Sequence, residues 1–428
     1  MNLYLGIDLG TSGVRTAVID ADGKVVSSAS VAMESPLLVK GRSCQDANLW
    51  WKAVSDCLID QRQKLETLGH SMQWITDLSV DGTSGSLLMV DQNLTPLTHG
   101  YMYDSANFQD EAIEIEKHAP KNSIARGEGS ALARLLFLQK ESGVDQARHA
   151  MHQADWIAAK LMQIGGYSDE TNVLKMGYDV RSRQWPDWLS RCGVRSHLLP
   201  SVQPVGDTFG TVNSKVGEQF GLASGTRVVA GTTDSNAAFL ASGASQVGEG
   251  VTSLGTTLAI KLLSDKPVFD PSRGIYSHRI KDMWLPGGAS NTGGGVLLDH
   301  FSAEQMRELE SQIDPMNATA LDYYPLSRPG ERFPIYDPNL LPRLTPRGKS
   351  DVEFFQGMLE GIAEIERIGY AALADLGAPT LKRVFTAGGG STNRAWTQIR
   401  SRTLNVPISE ALSSDAAVGT ARIAAKLL

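Results

Sequence analysis

The sequence predicts an α/β protein built from two topologically related domains. Three observations carry this reading. Strand-like and helix-like segments alternate along the chain. Two hairpins with glycine-threonine turns, at 3–20 and 250–263, stand about half a chain apart. And 428 residues exceed what one ordinary core can bury.

The first hairpin opens on an apolar run that carries Asp8 near its end, turns through Gly10-Thr11-Ser12-Gly13, and returns in a second apolar run to Asp20. The turn Asp20-Ala21-Asp22-Gly23 leads into Lys24–Ser30, so a three-strand meander is expected. Asp46–Leu68 predicts a helix that stops near Gly69. Trp74–Val80 predicts a strand that runs into Asp81-Gly82-Thr83-Ser84-Gly85, with another strand over Ser86–Val90. Ser130–Glu141 and Asp155–Gln163 predict helices, and Arg227–Ala230 a short buried strand. That strand delivers Gly231-Thr232-Thr233-Asp234, and a helix begins at once.

The second hairpin repeats the plan around Gly255-Thr256-Thr257. From Ser264 to Lys349 the chain is rich in Pro and Gly and is expected to be dominated by loops. Asp351–Leu376 is the clearest helix, because Phe354, Met358, Ile362 and Ile365 recur at helical spacing. Ser350 with Glu353 suits a capping box, and Gly377 a stop. Arg383–Thr386 predicts a strand, and Gly388-Gly389-Gly390 opens onto a helix from Asn393 to Leu404. A last helix starts near Ser414-Asp415. The expected domains are 1–241 plus 412–428, and 242–411.

Composition excludes several classes. Hydrophobic residues make up 42% and charged residues 20%, as in a packed globular protein. A net charge of -7 with no basic stripe argues against a nucleic-acid partner. Cys44, Cys57 and Cys192 are odd in number and scattered, which suits reduced thiols in a cytoplasmic protein. Neither a signal peptide nor a bilayer-spanning run is expected, so no membrane partner is either. The eight histidines form no triad or metal spacing, and neither Ser12 nor Ser84 sits in a hydrolase elbow.

The chemistry lies in the glycine turns and the acids beside them. Glycine lets backbone approach a ligand, and successive exposed N–H groups form an anion site. Thr11 and Ser12 add hydroxyl donors, and Asp8 offers the hard oxygen that Mg²⁺ takes. Gly255-Thr256-Thr257 is a second such turn, and two opposed turns can clamp a triphosphate. Gly388-Gly389-Gly390 lets a flat ring lie on bare backbone, with Asn393 for a base edge and Trp396 for an aromatic face. A packed tryptophan is the alternative. Asp234, between a strand and a helix, suits a base that accepts a hydroxyl proton, with helix capping as its rival. Thr83 and Ser84 hydroxyls suit sugar hydroxyls.

Gly6-Ile7-Asp8-Leu9-Gly10-Thr11-Ser12, Ser253-Leu254-Gly255-Thr256-Thr257 and Ala387-Gly388-Gly389-Gly390 resemble the phosphate and adenosine motifs of the sugar kinase, actin and heat-shock chaperone superfamily. Within it, Gly231-Thr232-Thr233-Asp234 and Asp415-Ala416-Ala417-Val418-Gly419 resemble the FGGY carbohydrate kinases. The resemblance spans the whole chain. It implies two actin-like (ribonuclease H-like) domains with an ATP cleft between them, and transfer of the γ-phosphate of Mg²⁺-ATP to a sugar hydroxyl. It makes Asp234 the general base and Asp8 the Mg²⁺ partner, with Thr11 completing the catalytic set. Gly10, Thr11, Ser12, Gly13, Arg15, Gly255, Thr256, Gly389, Gly390, Asn393 and Trp396 would bind nucleotide. Asp8, Thr83, Ser84 and Asp234 would face the sugar.

Asp81-Gly82-Thr83-Ser84-Gly85, Ser168-Asp169 and Leu321-Asp322-Tyr323-Tyr324-Pro325 are most similar to a short branch acting on ketopentoses, which points to D-ribulose, with D-xylulose or another polyol as alternatives. Two departures mark the sugar side. Arg134 and Phe137 stand where the family usually carries Lys and Trp, and the loop Tyr103-Asp104-Ser105-Ala106 lacks the Trp and Arg many members have there. A monomer or homodimer is expected. An actin-type ATP-switched protein and a sugar sensor are the rival classes.

Overall fold

The structure is a computed structural model, and it describes residues 2–141 and 143–427. The chain divides into two compact units. The first comprises Met1–Ala241, Arg279–Lys281 and Asp415–Leu428, and the second Ser242–His278 and Asp282–Ser414. The expected return to the first domain at 412 is therefore three residues early. The Leu412 N–H donates to the Ser242 carbonyl at 3.0 Å, within the second unit, and the first resumes with Asp415 capping a new helix.

Strands of the first unit are β1 (Leu3–Leu9), β2 (Gly13–Ile19), β3 (Val25–Ala32), β4 (Leu37–Val39), β5 (Arg42–Gln45), β6 (Ile75–Gly82), β7 (Leu87–Val90), β8 (Gly100–Tyr101), β9 (His149–His152), β10 (Tyr167–Asp169), β11 (Ser201–Gln203), β12 (Thr208–Thr211) and β13 (Arg227–Thr233). Its main sheet runs β12-β13-β6-β1-β2-β3. The meander β1–β2–β3 is antiparallel, while β6 pairs parallel to β1 and β13 parallel to β6. The central strands are buried along nearly their whole length. The Asp81–Gly85 segment does not return into the same sheet. It leads from β6 to β7, which belongs to a separate sheet ordered β4-β5-β8-β7-β9.

The second sheet holds β14 (Glu249–Leu254), β15 (Leu258–Leu262), β16 (Tyr276–Ile280), β17 (Met283–Ala289), β18 (Arg383–Ala387) and β19 (Ile408–Glu410), in the order β16-β17-β15-β14-β18-β19, all within the second unit but for the last two residues of β16. β14 and β15 form the second hairpin, β18 pairs parallel to β14, and β19 parallel to β18. Each unit thus repeats one plan, a hairpin strand followed by parallel neighbours on its other side.

The segment 264–349 is less loop-dominated than expected, since it contains β16 and β17. Pro286, Gly287 and Gly288 read as breakers, yet two of them are demanded by close packing. A Cβ on Gly287 would lie 2.1 Å from the Ile260 carbonyl, and one on Gly288 2.2 Å from the Phe333 ring. The long helix forms at Asp351–Asp375, with the Ser350 hydroxyl accepting from the Glu353 N–H. The Glu353 carboxylate takes the Lys349 N–H rather than that of Ser350, so the box closes one residue early. Cys44, Cys57 and Cys192 are buried and free. No described helix is long and apolar enough to cross a membrane.

Two buried polar networks hold the strand ends. In the second unit, Arg400 forks onto Glu366 at 2.7 and 2.8 Å and donates to the Thr386 hydroxyl on β18. Thr252 on β14 donates to Glu366 at 2.6 Å. The strands that deliver Gly255 and Gly388 are thereby tied to the helices Asp351–Asp375 and Arg394–Leu404. In the first unit, Asp169 accepts from the Thr171 and Asn172 N–H groups, the Thr171 hydroxyl and the Asn172 amide. Thr171 and Asn172 then grip the Thr232 hydroxyl and carbonyl, two residues before Asp234.

Truncating Glu366 to Ala leaves a buried guanidinium unpaired, and denaturant unfolding should show a loss of about 3–5 kcal/mol. Burial, seconded by the charge of Asp155, raises Asp169 from its ordinary 3.8 to about 6. A raised carboxyl adds stability that is full below its unfolded value and lost as pH climbs through the folded one. Asp169→Asn lacks this loss. The variant's stability deficit should therefore shrink by up to about 3 kcal/mol between pH 4 and pH 7, and a constant deficit would show that Asp169 does not titrate in that window.

Candidate active site

Parallel strands place their carboxyl ends together, and ligands in open α/β sheets bind there. In the first unit those ends are acidic. Asp8 on β1 stands in register with Asp81 on β6. One step further across the sheet, β13 ends at Thr233 and Asp234 begins the helix Asp234–Ala241. Asp415 caps the helix Ala416–Ala424 through the Ala417 N–H. The four carboxylates sense one another, for Asp234 and Asp415 both act on Asp8.

Burial decides how these acids share protons. Asp8 is 4% exposed, and burial raises it to about 6 against the opposing effects of Asp81 and Arg15. Asp81 is fully buried and lies well above the carboxylate range, through burial first and the charge of Asp8 second. Its carboxyl accepts a hydrogen bond from the Thr420 hydroxyl on the helix Ala416–Ala424. Arg15 reaches Asp8 at 3.4 Å but is mostly exposed, so it compensates the corner only weakly. Asp234 is half-buried, and its Oδ1 accepts from the Ser235 N–H at 2.6 Å, where the helix start favours its charge.

The first turn is well braced. The Gly10 N–H donates to the Gly13 carbonyl at 3.0 Å, Gln45 donates to the Thr11 carbonyl at 3.0 Å, and Met33 N–H to the Ser12 carbonyl at 2.8 Å. Three carbonyls are thus spent inward, while Thr11 is half-buried and Ser12 exposed. A Cβ on Gly13 would meet the Val31 carbonyl at 2.8 Å, so this glycine is a requirement of strand packing.

In the second unit, the Gly255 N–H closes onto the Thr257 carbonyl at 3.1 Å. Gly294 and Gly295 donate to the Gly255 and Thr256 carbonyls at 2.8 and 3.0 Å. The segment Gly293–Gly295 is a partner of this turn that the sequence reading missed, although three consecutive glycines were the available signal. Gly388 takes φ +85° against the Leu254 carbonyl, and Gly389 borders open space.

The structure corrects three expectations. Trp396 presents no face to a ligand. It is 2% exposed within the core of the second unit, its indole N–H donates to the Leu359 carbonyl, and its ring backs onto Gly390. Asn393 spends its side-chain oxygen on the Trp396 N–H as a helix cap, 2.7 Å away. Thr83 is 3% exposed, with its hydroxyl shared between Ser86 and Gln153, so it braces the turn rather than facing a sugar. Ser84 alone of that pair is half-buried. Asp81 was the residue missed. The echo of Asp8-Leu9-Gly10-Thr11-Ser12 in Asp81-Gly82-Thr83-Ser84 was legible, but not that the two acids meet.

Among the described residues no three His, Cys, Asp or Glu side chains form a metal cage. Mg²⁺ does not need one, because it is held through one or two carboxylates plus substrate phosphates. Asp8, buried among three further acids, fits that role. As a core residue, Trp396→Phe should cost about 1–2 kcal/mol in unfolding experiments through the lost indole bond and packing. It should leave nucleotide affinity, read by calorimetric titration, within about threefold of the parent's.

The model for the N-terminal domain of the FGGY family of carbohydrate kinases matches residues 3–241, and that for the C-terminal domain matches 250–428. A xylulose kinase of Staphylococcus xylosus is 24% identical over 454 residues, covering 99% of this chain and 91% of the relative. A gluconokinase of Bacillus subtilis is 23% identical over 429 residues, covering 93% and 82%. Among solved structures, a "xyloylose kinase" from Brucella ovis aligns with a TM-score of 0.89 at 21% identity, over 100% of this chain and 91% of that one. With family models matching both units and nearly the full length, the chain belongs to the FGGY family of carbohydrate kinases, ATP-dependent phosphotransferases with an alcohol acceptor.

Proposed function

We propose that the chain phosphorylates a ketopentose at a terminal hydroxyl, with D-ribulose as its sugar. The observation that carries the reading is Asp234, set where β13 meets its helix and within the field of Asp8 and Asp81. Asp234 accepts the proton of the attacking hydroxyl. Its place at a helix start keeps it oriented. Asp8 holds Mg²⁺, which when bound neutralises charge on the phosphates.

The Gly10–Gly13 turn, with Thr11, Ser12 and Arg15, meets the transferred phosphate. Gly255 and Thr256 hold the phosphates of the nucleotide, and Gly389 and Gly390 support its base. Asn393 serves the base only by capping the helix that follows. Ser84 faces the sugar. Positioning and charge compensation, rather than covalent chemistry, supply the rate.

D-Ribulose is favoured by the Asp81–Gly85 and Ser168-Asp169 motifs. D-Xylulose is the second reading, favoured by the relative from Staphylococcus xylosus named a xylulose kinase. ADP release by the purified chain, measured across pentuloses, pentoses, polyols and gluconate, separates the two. A highest kcat/KM on D-ribulose supports the first, and no sugar-dependent release at all overturns both. Asp234→Ala should cut sugar phosphorylation about 10²–10⁴-fold while leaving nucleotide affinity largely intact. Near-parental turnover by that variant would remove Asp234 from the role of base.

A further inference from the structure

Arg134 is fully buried, yet its guanidinium is given to main-chain carbonyls. Nη1 donates to the Gly85 and Gly129 carbonyls, both at 3.2 Å, and Nη2 to those of Tyr103 at 2.5 Å and Ser105 at 3.2 Å. Desolvating a cation is costly and is offset here by these bonds, the Phe108 ring 5.8 Å away and the charge of Asp104. Burial lowers the group to about 10, so it remains charged at neutral pH.

Its partners belong to separate segments. Gly85 ends the turn that carries Ser84, and a Cβ there would come within 3.2 Å of Nη1. Tyr103 is held on both sides, since its N–H donates to the Ser86 hydroxyl at 3.0 Å and its carbonyl accepts from Arg134. Ser86 is in turn bonded to Thr83, and Thr83 to Gln153. The Tyr103 side chain is about half exposed and lies in the field of Asp104 and Asp234. One guanidinium therefore fixes two hydroxyl-bearing segments, one of which reaches the surroundings of Asp234.

We propose that Arg134 is a positioning residue for the sugar, clamping the Gly85 turn to the Tyr103–Ser105 loop so that Ser84 and Tyr103 form a fixed wall for substrate hydroxyls. Resting on the kinase reading above, the proposal adds to it the residue that sets the wall. In this chain the planar fork spans both segments, where a single ammonium has its three donors at one point.

The test uses the full chain with Arg134→Lys and Arg134→Met, assayed with the sugar the parent turns over best. Arg134→Lys should raise the sugar KM at least about tenfold and leave the ATP KM within about twofold. Amide exchange at Tyr103 and Ser105 should accelerate, while exchange at Gly255–Thr257 stays as in the parent. Should Arg134→Met fail to fold, the lysine variant still decides. An unchanged sugar KM for Arg134→Lys overturns the proposal. So does a parallel rise in both KM values with a lowered melting temperature, the mark of a purely structural role. A parent chain that phosphorylates no sugar sinks the kinase reading instead, which tells the two failures apart.

Discussion

The first unit depends on how closely one helix packs onto its sheet. Ala416–Ala424 lies against β1 at a distance that only glycine permits. A Cβ on Gly6 would stand 2.0 Å from the Ala417 carbonyl, and one on Gly419 1.8 Å from that of Ala237. At this closeness Thr420 bonds to Asp81 across 339 positions of sequence. The acid opposite Asp8 thus owes its partner to a helix far along the chain. Close-packed interiors tolerate no substitute for such crossings.

Electrostatics follows from this packing. Burial raises both Asp8 and Asp81 above the ordinary carboxylate value, and the charge of Asp8 raises Asp81 further. Asp234 is less buried and sits at a helix start, where its charge is stabilised.

The errors of the sequence reading have particular causes. Trp396 follows Asn393 at a spacing that suits a ligand-facing ring, but the same spacing puts it on the buried face of its helix, where it packs with Leu359 and Gly390. Thr83 carries a hydroxyl like Ser84, yet just past the end of β6 it turns inward to Gln153. β17 was hidden because Gly287 and Gly288 are ordinary turn signals, and only the Ile260 carbonyl and the Phe333 ring reveal why they stand in a strand. Arg134 was visible as a departure at its position, but its carbonyl partners come from loops up to 49 residues away.

Local chemistry determined what could be read from the residues alone: the two glycine-threonine hairpins, the long helix Asp351–Asp375, the α/β class and the placing of Asp8 and Asp234 at strand ends. Each depends on periodicity or on what glycine and threonine do within a few positions. Tertiary structure alone decided that Asp81 opposes Asp8, that Thr420 reaches it, that Arg134 joins two loops, and that Trp396 faces inward. Those facts depend on which strands pair and how closely helices cross, and such contacts between distant residues leave no periodic trace in a single chain.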